Sequence, residues 1–271
     1  MIDVAEIRIG TSGWRYPPWR GNFYPRGLVQ RRELEYLSGR MNSAEINGSF
    51  YSLQRPERYR AWAEQTPDDF VFAVKGGRFI THLKQLRDVE TPLANFFASG
   101  VLALGRKLGP ILWQLPPRLS FDAERVEDFF KLLPRTSHAA AKLASEYDDK
   151  LEAEPHTDPK PRRKLRHAIE VRHPSFTEPE SLDLFRKHGI ALVVADTAGE
   201  FPFVEEMTSE DFAYVRLHGE EELYVSGYGD KTLERWARKI EGWGRDTYVY
   251  FDNTVEAEAP KNAIALAKLL A

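Results

Sequence analysis

Three pairs of polar or charged residues stand two apart inside short apolar or aromatic runs: Glu45 with Asn47, Glu170 with Arg172, and Arg216 with His218. In a β-strand, positions i and i+2 share a face. A charge on such a run is costly to bury unpaired, so each pair marks strands that turn polar groups toward one surface. Lys75, Gln114 and Asp196 end three other runs, and Asp252 with Asn253 closes the last. Glu45, Glu170, His218 and Asp252 have the chemistry for general acid–base catalysis or, with His82, for holding a divalent metal. Lys75, Arg172 and Arg216 suit an anion such as phosphate or carboxylate, because arginine offers forked, bidentate donors. Trp14, Tyr16, Trp19 and Tyr51 follow the first two runs and suit stacking on a sugar or base. The metal is one reading only. His82 and His218 lack HExxH or HxH spacing, and hydrogen bonding to neighbours accounts for them equally well. Any one charge, taken alone, also fits a structural ion pair.

Eight such runs recur along the chain, at 7–11, 43–46, 70–75, 110–114, 168–171, 191–195, 213–217 and 248–251. Between them lie helical stripes. Val126, Phe129, Phe130 and Leu133 fall at i, i+3, i+4 and i+7, as do Leu233, Trp236, Ala237 and Ile240, and Ala263, Leu266, Ala267 and Leu270. This alternation predicts an α/β fold, a single (β/α)8 TIM barrel over 1–271. An open, doubly wound sheet would carry a phosphate or dinucleotide fingerprint after its first strand. The stretch Gly10-Thr11-Ser12-Gly13-Trp14 matches neither pattern. In barrels the loops that follow strands carry the chemistry, so the polar residues above gather at one mouth.

An insertion at 137–166 interrupts the rhythm before the fifth strand. Its first half, 138–152, reads as helix, and its second half as a proline-broken loop. The basic run 160–166 precedes a strand, which places it at the far end of the barrel, and it reads as solvated surface. The stretch 219–230 reads either as a flap over the mouth or as an ordinary long loop.

Bulk properties narrow the classes. A barrel takes ~250 residues, so a chain of 271 leaves no room for a second domain. A net charge of -3 gives no argument for broad nucleic-acid or membrane binding. The absence of cysteine removes thiolate chemistry and disulfides. The N-terminus lacks a signal-peptide layout, and no apolar run reaches the ~18 residues of a membrane span. A cytoplasmic location is expected.

The same segments resemble a known family. Gly10 to Trp14 with Tyr16, Trp19, Gly21, Phe23, Tyr24 and Pro25 is similar to the opening of the YecE-like family (domain of unknown function 72). Glu45-Ile46-Asn47 with Phe50-Tyr51, Phe72 to Lys75 with Ile80-Thr81-His82, and Gly109-Pro110 with Gln114 to Pro117 also match it. So do Glu170 to His173, Ala195-Asp196, Tyr214 to Gly219, and Tyr250 to Asn253. The resemblance spans nearly the whole chain in order and implies a TIM barrel without naming a reaction. At the level of fold the family is similar to the endonuclease IV and xylose isomerase barrels, a weak pointer to phosphodiester or sugar chemistry. Phe176 stands where the family often has tryptophan, and Asp252 where it often has asparagine.

The leading expectation is an enzyme, a hydrolase or lyase, acting on an anionic sugar-containing or phosphodiester substrate. Glu45, Glu170, His218 and Asp252 would be catalytic. Trp14, Tyr16, Trp19, Asn47, Tyr51, Lys75, His82, Gln114, Arg172, Asp196, Arg216 and Asn253 would bind substrate. Glu170→Gln would then abolish turnover without moving the melting temperature. One alternative is a non-catalytic module for nucleic acid or a phosphorylated ligand. Another is a metal-free sugar-phosphate isomerase or lyase with Lys75 as amine nucleophile.

Overall fold

The computed structural model describes residues 5–271. Its strands are β1 (Ile7–Ser12), β2 (Ser43–Ile46), β3 (Val71–Lys75), β4 (Leu108–Gln114), β5 (His167–Glu170), β6 (Ala191–Leu192), β7 (Val194–Asp196), β8 (Phe212–Leu217) and β9 (Asp246–Phe251). All pairings are parallel, in the order β6-β5-β4-β3-β2-β1-β9-β8-β7. β6 and β7 are two halves of the expected sixth strand, parted at Val193. The lower half pairs with β5 and the upper half with β8, while the Val193 N–H still donates to the Ile169 carbonyl at 2.9 Å. One run of chain thus bridges both edges, as the stagger of a closing barrel requires.

Two separate cores follow from strand alternation. Outward-facing residues such as Ile9, Ile46, Phe72, Trp113 and Val249 pack against the surrounding helices. The helical stripes supply the other side. Val126, Phe129 and Phe130 are buried on the helix Ala123–Leu132, whose N-terminus is capped by Asp122 accepting from the Arg125 N–H at 3.1 Å. Leu233, Trp236, Ala237 and Ile240 are buried on the helix Asp230–Trp243.

The inner core is smaller. Phe212, Tyr214, Tyr248 and Tyr250 from β8 and β9 fill the barrel against Ala73, Ala168, Ala191 and Ala195 on the opposite strands. Large residues facing small ones let the layers interdigitate. Gly10 belongs to this fit, because a Cβ there would lie 1.9 Å from the Ser43 carbonyl oxygen. Above this apolar plug the inward positions of most strands are polar: Ser12, Glu45, Lys75, Gln114, Glu170 and Arg216 are all buried, with Ala195 level with Arg216 as the apolar member.

The insertion is folded onto the barrel. Its helix runs only Ser137–Ala144, shorter than the expected 138–152. Beyond it the Asp148 carboxylate accepts from Asn95 Nδ2 at 2.7 Å, which draws the chain off the helical path. The returning segment pairs Lys164 with Thr136 as an isolated antiparallel bridge, and the Arg163 N–H donates to Ser137 Oγ at 3.2 Å. The basic run is therefore pinned through its middle, at residues 163 and 164.

Candidate functional site

At the C-terminal ends of the strands, Arg216 is the hub. Its Nε donates to Glu45 Oε2 at 3.2 Å and its Nη2 to Glu45 Oε1 at 2.9 Å, a forked pair. Its Nη1 donates to Glu170 Oε2 at 2.6 Å, and Nη2 reaches Ser12 Oγ at 2.8 Å and Asp252 Oδ2 at 3.1 Å. Glu45 also accepts from Ser12 Oγ at 2.7 Å and from the Tyr214 hydroxyl at 2.6 Å. Glu170 accepts from Gln114 Nε2 at 2.9 Å and Arg172 Nε at 3.1 Å. Burial by itself would raise the pKa of Glu170, but the adjacent Arg216 and Arg172 outweigh it and hold the carboxyl well below its usual range. Asp252 behaves alike: burial opposes ionisation, and Arg216 with His218 holds the pKa down.

His218 lies between two carboxylates. Its Nδ1 is 3.0 Å from Asp252 Oδ2, off the line of a well-directed hydrogen bond, and its Nε2 is 3.5 Å from Glu170 Oε1. Tyr224, from the loop after β8, covers the ring edge-on at 5.4 Å, and its hydroxyl accepts from Arg172 Nη2 at 2.9 Å. The Arg172 guanidinium also lies 4.6 Å over the Phe201 ring.

Lys75 differs from all of these. It is buried, yet among the described residues its ammonium has neither a hydrogen bond nor an ion pair; it rests 4.3 Å above the Phe50 ring. Burial first, and then the charge of Arg216, push its pKa down to about 8, against the pull of Asp252, Glu45 and Glu170. His82 packs edge-on to Phe50 at 5.1 Å and is pulled down to about 4 by burial and by Lys75 and Arg172.

Lys75, Gln114, Arg172 and Arg216 thus join the four carboxylate and histidine candidates. Asn47 does so indirectly, donating from Nδ2 to Ser12 Oγ at 2.6 Å. Arg216 has every N–H engaged, the second on Nη1 facing His218 Nε2 at 3.4 Å, which leaves nothing of the guanidinium to grip an anion. Asp196 turns aside to Tyr228, and burial raises its pKa. Asn253 is fully buried, and its Nδ2 holds the Ser226 carbonyl at 2.9 Å and Asn262 Oδ1 at 3.0 Å, so it anchors a loop and a helix rather than facing the mouth. Trp14 is mostly buried, packing on Trp62 at 5.5 Å, and still lines the cavity beside the mouth, whereas Trp19 is a core residue that donates its indole N–H to the Thr254 carbonyl at 2.8 Å. Tyr51 is 69% exposed at the rim. With Tyr16, Asn47, Arg15 and Arg58 it lines a cavity of about 410 Å³ beside the mouth.

Sequence reasoning missed Ser12, Tyr214 and Tyr224. Tyr214 stands two residues before Arg216, so the same-face rule that paired Arg216 with His218 reaches it. Ser12 is two after Gly10 on the same face. Tyr224 has no spacing signal.

The donor set does not suit a metal ion. Among the described residues no group of three or more His, Asp or Glu is arranged to hold one. The carboxylates instead converge on the guanidinium of Arg216, whose charge occupies the centre where a cation would sit. No helix among the described residues is long and apolar enough to cross a membrane.

The chain is similar to several known proteins. The UPF0759 protein YunF of Bacillus subtilis is 23% identical over 295 residues, covering 97% of this chain and 94% of that protein. The UPF0759 protein YecE of Escherichia coli K12 is 27% identical over 196 residues, covering 70% of this chain and 59% of its own. A DUF72 family protein from Thermotoga maritima has a similar crystal structure, with a TM-score of 0.77 at 24% identity over 98% of this chain and 99% of the other. Residues 8–271 match the family model described as protein of unknown function DUF72, and the chain belongs to that family.

Proposed function

We propose that the protein is a metal-free enzyme acting on a small anionic, sugar-derived carbonyl compound, with Lys75 as the amine that attacks the carbonyl. The observation that carries this reading is the unpartnered ammonium of Lys75, a side chain only 8% exposed at the end of β3. An amine whose pKa is near 8 has a substantial nucleophilic fraction at neutral pH, which desolvation achieves in lysine-dependent enzymes. Asp252, 13% exposed beside His218 and kept ionised by Arg216, is the carboxylate placed to offset positive charge on a Lys75 adduct. Arg172, fixed by Glu170 and Tyr224, and Arg15 with Arg58 in the adjoining cavity supply charge for the anion.

Hydrolysis of a phosphodiester through a metal is less well supported, since Glu45 and Glu170 are committed to Arg216. Pyridoxal 5′-phosphate, a small anionic aldehyde, followed by borohydride reduction and peptide mapping, tests the reading. At pH 8 an ordinary lysine of pKa ~10.4 is under ~1% deprotonated, so Lys75 should be labelled ahead of surface lysines by a wide margin. Lys75→Arg should lose that fast label. Labelling spread evenly over exposed lysines, with Lys75 untouched, would sink the idea.

A further inference from the structure

The opposite end of the barrel holds a second cavity, of about 550 Å³, lined at the N-terminal ends of the strands by Arg8, Arg106, Arg162, Arg163, Lys164 and Arg166. One carboxylate, Glu6, shares the lining. Half of these cations have counter-charges. Arg8 pairs with Glu6 at 2.8 Å, Lys164 with Asp211 at 3.0 Å, and Arg166 with Asp246 at 2.8 Å. The other three have none among the described residues. Arg163 donates Nη1 to the carbonyls of Gly105 and Arg106 at 2.8 and 3.0 Å, while its Nε is buried without a partner. The Arg106 and Arg162 side chains are exposed at the rim with no hydrogen bond or ion pair.

A chain of net charge -3 thus gathers three uncompensated guanidiniums around one cavity. Arg162, Arg163 and Lys164 come from the 137–166 insertion, whose bridge from Lys164 to Thr136 and bond from Arg163 to Ser137 hold them against the barrel. Like charges held together raise the local potential and favour a multiply charged anion. Guanidinium groups match phosphate oxygens in shape and charge. The volume lies in the range of small-molecule sites and well above what one phosphate fills.

We infer that this pole binds a small anion carrying two or more linked phosphates, separately from the mouth. The shared chemistry is the phosphate chain, whether free or borne by a nucleotide.

Calorimetric titration with inorganic tripolyphosphate and, separately, ATP tests the inference on the intact chain. One site is expected, weakening as salt rises. The double variant Arg106→Gln/Arg162→Gln should bind at least about tenfold more weakly, since two charge-assisted contacts are lost. Its melting temperature should not move, because neither side chain has a partner to lose. Lys75→Met should bind like the parent. Equal affinity for both probes points to a free phosphate chain, and tighter ATP to a nucleotide. No binding at low salt would overturn the inference. So would binding lost in Lys75→Met but kept in the double variant, which would move the anion to the mouth. Displacement of tripolyphosphate by a tighter-binding single-stranded oligonucleotide would replace the small anion with a nucleic-acid backbone.

Discussion

The two poles of the barrel carry similar residue types and treat their charge in opposite ways. At the mouth Glu45, Glu170 and Arg216 are fully buried and nearly every polar atom is matched. At the base Arg106 and Arg162 are exposed and unmatched. Burial explains the difference. A charge removed from water must be paired or it destabilises the fold by several kcal/mol, so the mouth is held in one arrangement. An exposed cation keeps its hydration and tolerates having no partner. Excess charge is therefore affordable at the base. Lys75 is the exception within the mouth, buried like Arg216 but unpaired like Arg162.

The sharpest way to break this comparison is Arg216→Met. It leaves Glu45, Glu170 and Asp252 without their common counter-charge, and the expected loss at pH 7 is about 3–5 kcal/mol by urea denaturation. The parent draws stability from the depressed pKa values of Glu170 and Asp252, present above the unfolded carboxylate range near pH 4 and lost as pH falls through the folded values. In the variant the depressing charge is gone and burial raises both values. The deficit should therefore narrow from pH 7 to pH 5, as the orphaned carboxylates take up protons. The matching change at the base, Arg106→Met, should stay within about 0.5 kcal/mol. Equal costs at both poles would remove the distinction.

Glu170→Gln is the next largest. Read from sequence, Glu170 is a catalytic group whose neutralisation spares the fold. In the structure it accepts from Arg216, Arg172 and Gln114 with no exposure, so the substitution should lower stability by about 2–4 kcal/mol. An unchanged melting temperature would restore the original reading and show that Gln114 and Arg172 repack around the amide.

The residues that were legible are those for which local spacing decides direction. The pairs Glu45/Asn47, Glu170/Arg172 and Arg216/His218 place polar groups on the inward face by strand alternation alone. The parallel register then sets Ser12 beside Glu45 and Gln114 beside Glu170. What spacing could not supply was the partner across the barrel. Arg216 meets Glu45 across 171 residues of sequence, which turns expected metal ligands into ligands of a guanidinium. Trp19 reaches the Thr254 carbonyl across 235 residues, which makes an expected rim aromatic part of the core. The insertion shows the same limit. Its alanine-rich start predicts a helix, but past Ala144 the chain turns to meet Asn95 on another element.

The third effect at the mouth is smaller than those two and has the opposite sign. Lys75→Met should stabilise the protein by about 1–2 kcal/mol at pH 7, because the parent keeps a buried ammonium charged without a partner. The folded pKa of about 8 lies below the unfolded value near 10.4, so between them the unfolded chain binds more protons. Parent stability should accordingly gain, relative to Lys75→Met, as pH rises from 8 toward 10, and the two proteins should converge there. Taking the difference between them cancels the titration of other lysines and tyrosines. Denaturation midpoints at pH 7 and 9.5 suffice for the comparison. A variant less stable than the parent at pH 7 would mean that the Lys75 ammonium supports the fold through its contact with Phe50. The mouth would then hold no strained group, and the case for an amine nucleophile there would lose its physical basis.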